Sequence, residues 1–584
     1  MADETQTDSD LEKQPAATGE KLNRARPIPF WLIGMVVLAG AAIFAMFYFG
    51  EQLDDSLASM DHGVIYILSA AITAIVTTIM MSWLFFRSQW GVFWSRIVPI
   101  VVMLLPLLIL IPFKPKWDGN IGIAGLEPRF WSNEPKIADK SGPADLSVTG
   151  KFDFPQFYGP NRNGVLLPRD FKIVKPTLKW KKRVGKSWSG FSAVNGFAVT
   201  MEQSDADELV TCYDIESGEL VWSYRHTARY QDPSNMGGAG PRATPTIHDG
   251  KVYAQGGTGI LVCLDGNNGE LIWKVEIPEL LGIQLNEHAT FAGIKYTTEE
   301  SRLEWGRAGS PLIYGDLCIV PGGGGGTDGP FVSLMAFNKN TGEEVWRGGG
   351  EMISYGSPAI ARLDGKDVIT IVNESSVSGH DPQTGQELWQ HKRPGFSNTD
   401  ANCSQPIQVA EDLLVVSKGY GQGGELLRIN DNQVETVWAN NRVMKTKFTI
   451  PLICGKHFYS LSDGILECTE RDTGRRVWKK KRFGQGQVLL TGDTLIIQSE
   501  KGNLHFVVAT QEGYQELEEL QTPSVQGICW NTLCLYKDML LVRSGEEAAC
   551  FQLSQVAGTE AADNQPDTTE NSEQPGSQNQ SEQP

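Results

Sequence analysis

A ten-residue pattern that recurs along the chain constrains its fold more than any other feature of the sequence. In each copy an apolar stretch ends in a polar residue, a turn follows, usually with a glycine, and the next stretch carries an apolar residue and a tryptophan. Six copies occur at residues 213–222, 264–273, 337–346, 380–389, 428–438 and 470–478, with weaker copies at 177–180 and 510–517. Most of these tryptophans are 40 to 51 residues apart, close to the period of a β-propeller blade.

Each copy predicts the outer half of a four-stranded antiparallel sheet. Glycine supplies the left-handed conformation that a tight turn needs, and two further strands joined by a second tight turn lie upstream. Because one such sheet cannot bury both faces alone, we expect the sheets to stack radially. The repeat residues predicted to be structural are Gly218, Trp222, Gly269, Trp273, Gly342, Trp346, Gly385, Trp389, Trp438, Gly474 and Trp478.

The two ends of the repeat region predict how the ring closes. The last unit, about 525–553, supplies three strands, whereas residues 177–184 form a strand without a sheet of its own. Pairing them removes both open edges. The sequence therefore predicts an all-β domain at 177–553, an eight-bladed β-propeller of four-stranded antiparallel blades.

The nine cysteines are scattered and none are adjacent, which argues against a disulfide framework or a zinc site. Four of them, Cys212, Cys263, Cys468 and Cys550, occupy the same position of the predicted third strand. Two other copies have Ala336 and Gly379 at this position. This position predicts a small buried side chain, which a free cysteine satisfies.

Three apolar runs precede the repeats, at residues 28–50, 63–86 and 97–113. The first two are long enough to cross a bilayer as helices, and the third is shorter. Lysine and arginine precede the first run and flank the loop between the second and third, so the N-terminus is expected in the cytoplasm. We predict three transmembrane α-helices at 28–113, anchored in the inner (cytoplasmic) membrane, with a periplasmic or otherwise extracytoplasmic propeller.

The remaining segments are polar. Residues 1–20 and 559–584 together carry twelve acidic residues and one lysine, so the tails hold most of the net charge of −18. We predict a disordered acidic cytoplasmic tail at 1–27, a flexible linker and propeller lead-in at 114–176, and a disordered acidic tail at 554–584. The rest of the chain lacks a basic footprint, so no nucleic-acid partner is expected.

The repeat copies resemble the quinoprotein-type, or PQQ-like, propeller repeat over residues 152–553. That family includes PQQ-dependent dehydrogenases and the BamB-type outer-membrane assembly scaffold, so the resemblance implies a propeller and leaves the function open. The dehydrogenases typically have a vicinal cysteine disulfide against the quinone and acidic and amide ligands for Ca²⁺. This chain has no adjacent cysteines, and no matching ligand set can be assigned. We therefore expect no cofactor, metal or catalytic residue, with PQQ and Ca²⁺ as the alternative.

Insertions mark one face of the predicted propeller, here called the decorated face. The turns between first and second strands and between third and fourth strands are tight. The insertions accumulate on the opposite face, at residues 226–240, 278–306, 322–330, 393–402 and 419–424. Variable loops on a rigid scaffold often carry function. Residues near the axial mouth of this face form either a pocket for an anionic or polar ligand or a set of solvated rim charges. This candidate ligand rim comprises Arg242, Arg307, Tyr355, Gln405, Lys447 and Trp530.

These features favour a non-enzymatic protein-interaction scaffold at the cell envelope, similar in role to BamB, with an envelope protein as its partner. Two alternatives stay open, a PQQ-dependent membrane dehydrogenase and a ligand- or polysaccharide-binding sensor. The scaffold requires an exposed strand edge or an apolar loop patch. The enzyme requires cofactor ligands that converge at the axis, and the sensor requires a deep polar pocket.

Overall fold

A computed structural model of the chain divides into two compact units, Met1–Ala58 with Val64–Leu104 and Ser59–Gly63 with Leu105–Pro584. The residues that the structure describes are Val76 and 113–553 without 120–122, 129, 131–133, 148, 170–175, 233–236, 290–293, 300–302, 325–328 and 521.

The predicted tails and membrane anchor lie outside the described residues, apart from Val76 and Phe113. Phe113 begins a β-strand, Phe113–Trp117, so the residue expected to end the third span is not helical. Within the part of the chain that is described, no helix combines the length and the apolar character needed to cross a bilayer.

The second unit is built almost entirely from antiparallel β-strands. Its described residues form eight sheets of four strands, one of which gains a short fifth strand, and two separate hairpins. We number the sheets 1 to 8 in chain order, and their strands from first to fourth across each sheet. In sheets 1 to 7 these four strands follow one another along the chain, which is the up-and-down order of a propeller blade.

The strand bounds of the first four sheets are as follows. Sheet 1 comprises Ser192–Val194, Phe197–Ser204, Asp207–Asp214 and Leu220–Thr227. Sheet 2 comprises Thr246–His248, Lys251–Gln255, Ile260–Asp265 and Leu271–Glu276. Sheet 3 comprises Leu312–Tyr314, Leu317–Gly324, Phe331–Asn338 and Glu344–Gly348. Sheet 4 comprises Ala359–Leu363, Lys366–Val372, Ser376–His380 and Glu387–Lys392.

The other four sheets repeat this order. Sheet 5 comprises Ile407–Ala410, Leu413–Lys418, Gly423–Asn430 and Gln433–Asn440. Sheet 6 comprises Leu452–Cys454, His457–Ser462, Ile465–Glu470 and Arg476–Arg482. Sheet 7 comprises Gln487–Thr491, Thr494–Gln498, Leu504–Val508 and Glu516–Glu519, with Val165–Leu166 added in parallel to its first strand. Sheet 8 comprises Cys534–Tyr536, Met539–Arg543, Glu547–Gln552 and Thr177–Arg183.

The remaining elements lie between or before the sheets. A one-turn helix, Ile277–Leu280, and a hairpin of Leu285–Ala289 and Lys295–Glu299 connect sheet 2 to sheet 3. A second hairpin, Phe113–Trp117 with Ile123–Pro128, precedes all the sheets and is called the N-terminal hairpin below.

Sheet 8 joins the two ends of the repeat region. Its fourth strand, Thr177–Arg183, comes from the start of the region and pairs antiparallel with Glu547–Gln552 at its end. This is the pairing that the incomplete last unit predicted. The pairing completes sheet 8 with a fourth strand and connects the two ends of the repeat region by backbone hydrogen bonds.

Two-residue turns join the first and second strands of several sheets. Asn195 and Gly196 have φ angles of 49° and 85°, and Asp249 and Gly250 have φ angles of 48° and 70°. Asparagine, aspartate and glycine enter this left-handed region more readily than other residues, which explains their recurrence at these turns. The tight turns therefore lie on the face where the sequence predicted them.

The repeat tryptophans lie in the fourth strands of sheets 8 and 1 to 6 and contact the next sheet. Trp222 is fully buried, and its indole Nε1 donates a 2.9 Å hydrogen bond to the backbone oxygen of Gly266 in sheet 2. A Cβ on Gly269 would lie 2.6 Å from the Trp222 ring, so only glycine lets this turn pack against the ring. Equivalent indole bonds to the neighbouring sheet come from Trp180, Trp273, Trp438 and Trp478. The same glycine contact recurs at Gly218, Gly342, Gly385 and Gly474.

The small residues of the third strands lie directly opposite these tryptophans. Cys212 pairs with Trp222 across the sheet, Cys550 pairs with Trp180, and Gly379 pairs with Trp389. A Cβ on Gly379 would lie 2.2 Å from the Trp389 ring, so this position has little room for a side chain. Burial raises the pKa of the Cys550 thiol to about 12, so this thiol stays protonated at neutral pH.

Replacing Trp222 by phenylalanine should destabilise the protein more than the same change at Trp346. Both rings occupy the same repeat position, but Trp346 Nε1 is buried without a hydrogen-bond partner, whereas Trp222 Nε1 bonds to Gly266. An unpaired buried carbonyl costs about 1–3 kcal/mol, so Trp222→Phe should lose about that much more than Trp346→Phe. Urea unfolding of both variants measures the difference. Equal losses would mean that the indole hydrogen bond contributes nothing.

The segment expected to be a flexible linker is instead packed on the sheets where it is described. Ala144 and Leu146 are fully buried against sheets 1 and 2, and the Ser223 N–H in the outer strand of sheet 1 donates 2.9 Å to the Lys140 backbone oxygen. Further along, the Arg162 guanidinium donates to the backbone oxygens of Ser310 and Pro311. The amino-acid composition of the linker did not predict this packing, because a few apolar residues among many polar ones are enough to anchor an extended chain.

Candidate ligand and partner site

A cavity of about 440 Å³ opens on the decorated face. Connections that lead into the first strands of seven sheets contribute to its wall, which places the cavity at the centre of the ring of sheets. Seven aromatic rings line it: Phe157, Trp188, Trp305, Tyr355, Tyr420, Phe448 and Trp530. The other lining residues used below are Asp118, Gly119, Arg242, Asn398, Thr399, Cys403, Lys447 and Thr532.

The aromatic residues form two groups of packed rings. The Trp530 ring lies 4.7 Å from that of Trp188 and 4.8 Å from that of Phe448, measured between centroids. The Trp305 and Tyr355 rings lie 5.3 Å apart. Mutual packing holds these side chains in place, so the cavity presents preformed apolar and π surfaces.

Four of the six predicted rim residues line this cavity, namely Arg242, Tyr355, Lys447 and Trp530. Arg307 does not, because its guanidinium is buried and turned toward the Glu299 carboxylate at 3.0 Å and the Gly322 backbone oxygen. Gln405 is also buried outside the cavity, where its amide donates to the Arg162 backbone oxygen.

Arg242 stabilises the cavity wall through backbone contacts. Its guanidinium donates to the backbone oxygens of Trp305 at 2.5 Å, Gly237 at 2.8 Å and Gly238 at 3.1 Å, and also to that of Gly240. Burial lowers the pKa of this guanidinium. Because these bonds use most of its N–H groups, Arg242 positions the loop before sheet 2 and has little donor capacity left for a ligand.

Lys447 and Glu500 hold the tip of the N-terminal hairpin at the mouth of the cavity. The Gly119 N–H donates a 2.7 Å hydrogen bond to Glu500 Oε1, and Lys447 Nζ donates a 3.0 Å hydrogen bond to the Gly119 oxygen. The indole of Trp530 also donates to Glu500 Oε1, at 2.7 Å, and the Gln485 N–H donates to Glu500 Oε2, at 3.1 Å. No local sequence motif marks Gly119 or Glu500, so neither residue could be predicted from the sequence.

Ion pairs hold the two strands of the hairpin on the decorated face. Glu127 pairs with Lys186 and with Lys114, and Lys116 pairs with Glu546 at 2.5 Å. Burial alone would raise the pKa of Glu127, but the nearby lysines outweigh it and lower the pKa to about 2. The carboxylate therefore stays charged at any physiological pH, and the ion pairs persist there.

The cavity contains no activated nucleophile among its described residues. Burial raises the pKa of the Cys403 thiol to about 12, so this cysteine remains protonated at neutral pH. Burial also raises the pKa of Tyr355 well above its usual value. The arrangement is suited to holding an apolar or aromatic group by packing.

The donor set of the described cavity lining does not fit a calcium-dependent quinone. Ca²⁺ takes about six to eight oxygen ligands, usually with several carboxylates. The lining offers one carboxylate, Asp118, with the side-chain oxygens of Asn398, Thr399 and Thr532 and of two tyrosines.

Among the described residues, one group of three possible metal ligands lies elsewhere, on sheet 7. It consists of His505, Glu516 and Glu519. Lys481 Nζ lies 2.9 Å from Glu516 and 3.3 Å from Glu519, so an ammonium group already pairs with both carboxylates and offsets one of their two negative charges. This group is an internal ion-pair cluster.

Part of the chain is similar to known proteins. Residues 206–480 match a family model described as outer membrane protein assembly factor BamB. The chain is 24% identical over 356 residues to the outer membrane protein assembly factor BamB of Shewanella oneidensis, a match that covers 55% of this chain and 78% of that protein.

Solved structures resemble the chain in fold. A europium-containing methanol dehydrogenase superposes with a TM-score of 0.51 at 10% identity, covering 69% of this chain and 98% of that one. BamB from Moraxella catarrhalis superposes with a TM-score of 0.46 at 15% identity, covering 66% of this chain and all of that one. The similarity to the methanol dehydrogenase supports a shared all-β fold. At 10% identity it carries no conclusion about activity.

Proposed function

We propose that this chain is a membrane-anchored, extracytoplasmic β-propeller of eight blades that acts as a non-enzymatic protein-interaction scaffold at the cell envelope. The observation that carries the proposal is the match of residues 206–480 to the family model described as an outer membrane protein assembly factor. The anchor at 28–113 is the sequence prediction, and it would keep the propeller at the outer side of the inner membrane.

The decorated face supplies the contact surface in this proposal. Long connections gather there, and several of them expose large apolar side chains, including Leu280 in the one-turn helix, Leu285 in the hairpin between sheets 2 and 3, and Phe396 before sheet 5. Exposed apolar groups on a rigid scaffold are typical of protein-interaction surfaces.

Site-specific photo-cross-linking in native membranes tests this function. A photoreactive amino acid in place of Phe396 reports on the decorated face. One in place of Lys366, the first residue of a strand that follows a tight turn on the opposite face, is the matched control. We expect one defined envelope protein to cross-link from position 396 and not from 366, and to give the same adduct from a probe placed in that protein. Equal or absent adducts at both positions would contradict the proposal.

The cavity favours one second candidate, a sensor that binds a saccharide ligand. Aromatic rings such as Trp188, Trp305 and Trp530 could stack on the apolar faces of sugar rings. Titration with soluble oligosaccharides, followed by tryptophan fluorescence, separates the two functions. Saturable quenching that is lost in Trp530→Ala would favour the sensor, whereas no change at millimolar sugar would exclude it for the sugars used.

A further inference from the structure

The tip of the N-terminal hairpin is bound at the cavity mouth in the way that a peptide ligand would be. Both backbone groups of Gly119 are used, the N–H by Glu500 and the carbonyl by Lys447. The side chains of Glu500 and Lys447 are buried, and the Trp530 indole orients Glu500 by a hydrogen bond. The site therefore offers one acceptor, the Glu500 carboxylate, and one donor, the Lys447 ammonium. Their spacing matches the N–H and C=O groups of a single residue.

The site also selects which residue can occupy it. A Cβ added to Gly119 would lie 2.5 Å from Cγ of Gln485 and 2.9 Å from Oε1 of Glu500. Distances this short require one of these groups to move, and Glu500 is held by three hydrogen bonds. A glycine-containing turn therefore fits, and a turn with a larger residue at this position does not.

The hairpin is separable from the sheets that it covers. Phe113–Trp117 and Ile123–Pro128 pair with each other and with no strand of the eight sheets. Side-chain ion pairs and the tip hold the hairpin in place. It can therefore leave the cavity mouth without breaking a sheet.

We propose that the mouth of the axial cavity is a binding site for a glycine-containing peptide turn, and that residues 117–119 occupy it as an intramolecular ligand until a turn of a partner protein replaces them. This inference rests on the proposed scaffold function for the identity of the partner. Because a tethered ligand behaves as though present at millimolar concentration, a weak free peptide cannot displace the tip. A partner that also contacts the surrounding loops can.

The test uses the full chain in detergent and compares two glycines of the same hairpin. Gly119→Leu places a side chain against Gln485 and Glu500, whereas Gly125→Leu is the control because a Cβ there meets nothing within 4 Å. The probe is a fluorescent synthetic peptide with the sequence of residues 113–128. We expect Gly119→Leu to bind the peptide more tightly than the wild type or Gly125→Leu does, by about tenfold or more, because the internal competitor has been removed.

Cysteine reactivity provides a second readout. Cys403 lines the cavity, and Cys454, which is also partly exposed, lies in the first strand of sheet 6 and is the internal control. Maleimide labelling of Cys403 relative to Cys454 should rise by about tenfold in Gly119→Leu, because the tip loses both backbone hydrogen bonds. Lys447→Met, which removes one of them, should give a smaller rise and should weaken peptide binding.

The outcomes separate this inference from the proposed function. If Gly119→Leu neither binds the peptide more tightly nor labels faster at Cys403 than Gly125→Leu does, the peptide-turn site is wrong, whatever the photo-cross-linking shows. If the peptide binds but no envelope protein cross-links from position 396, the site stands and the scaffold function fails.

Discussion

A chain that ends at Gly545 is expected to lose cooperative folding, because it lacks the strand that joins the two ends of the ring. Glu547–Gln552 lies between Met539–Arg543 and Thr177–Arg183 and pairs with both. Without it Thr177–Arg183 has no partner, and sheet 8 loses the buried residues Ala548 and Cys550. Urea unfolding followed by circular dichroism should then show a broad, non-cooperative change in place of a single transition.

A chain that ends at Gln555 is the matched control. It keeps Leu553, which is buried and whose N–H donates 2.8 Å to the Asp538 oxygen, and it removes a segment rich in acidic residues and poor in apolar ones. Its unfolding midpoint should equal that of the full chain. A chain ending at Gly545 that unfolded at the same midpoint would show that this strand is not needed for stability.

The repeated sheets could be predicted because each depends on a short local pattern. A turn glycine and a tryptophan at fixed spacing, such as Gly269 and Trp273, predict a turn and the outer strand after it. Repetition then shows which positions vary and which keep a small residue. The strand without a sheet at 177–184 was predictable by counting strands alone.

The contacts between neighbouring sheets could not be predicted from the repeat pattern. Gly269 packs on Trp222 of the preceding copy and not on Trp273 of its own. The pattern shows that both residue types are required, but it does not show which copy each ring contacts. That pairing depends on how the sheets stack, which the structure provides.

The candidate site was predicted only in part, because sequence position fixes where a residue lies along a strand and not where its side chain points. Arg242, Arg307 and Lys447 all precede the proline of a first strand by three or four residues. Arg307 nevertheless turns away from the cavity, because the hairpin inserted after sheet 2 brings Glu299 to 3.0 Å from it. Insertions have no counterpart in the other copies, so the repeat gives no information about them.

The hairpin tip could not be predicted for a related reason. Gly119 and Glu500 are separated by 381 residues, and their contact depends on the position of the whole hairpin on the decorated face. Composition predicted a flexible linker at about 114–151, since charged residues with proline and glycine are typical of linkers. In the hairpin at its start, ion pairs with Lys186 and Glu546 add to the anchoring that buried apolar residues give further along the segment.

Arg543 lies at the junction where the last sheet meets the first, and it is fully buried. Its guanidinium donates to Thr200 Oγ1 at 2.8 Å and to the backbone oxygens of Met201 at 3.2 Å and Gly185 at 3.1 Å. The carboxylate of Glu202, also fully buried, accepts hydrogen bonds from neighbouring groups and is attracted by this cation. One side chain thus connects the second strand of sheet 8 to the second strand of sheet 1.

Replacing Arg543 by methionine is expected to lower the free energy of unfolding by about 3–5 kcal/mol, the usual cost of leaving a buried charge without its counterpart. Arg362→Met is the control, because Arg362 forms an exposed ion pair with Asp367 at 3.0 Å and such pairs contribute about 0–1 kcal/mol. Adding Glu202→Gln to Arg543→Met should recover part of the loss, since it removes the unbalanced carboxylate. If Arg543→Met and Arg362→Met unfold at the same urea concentration, the junction is held by packing alone, and the ring does not depend on this buried cation.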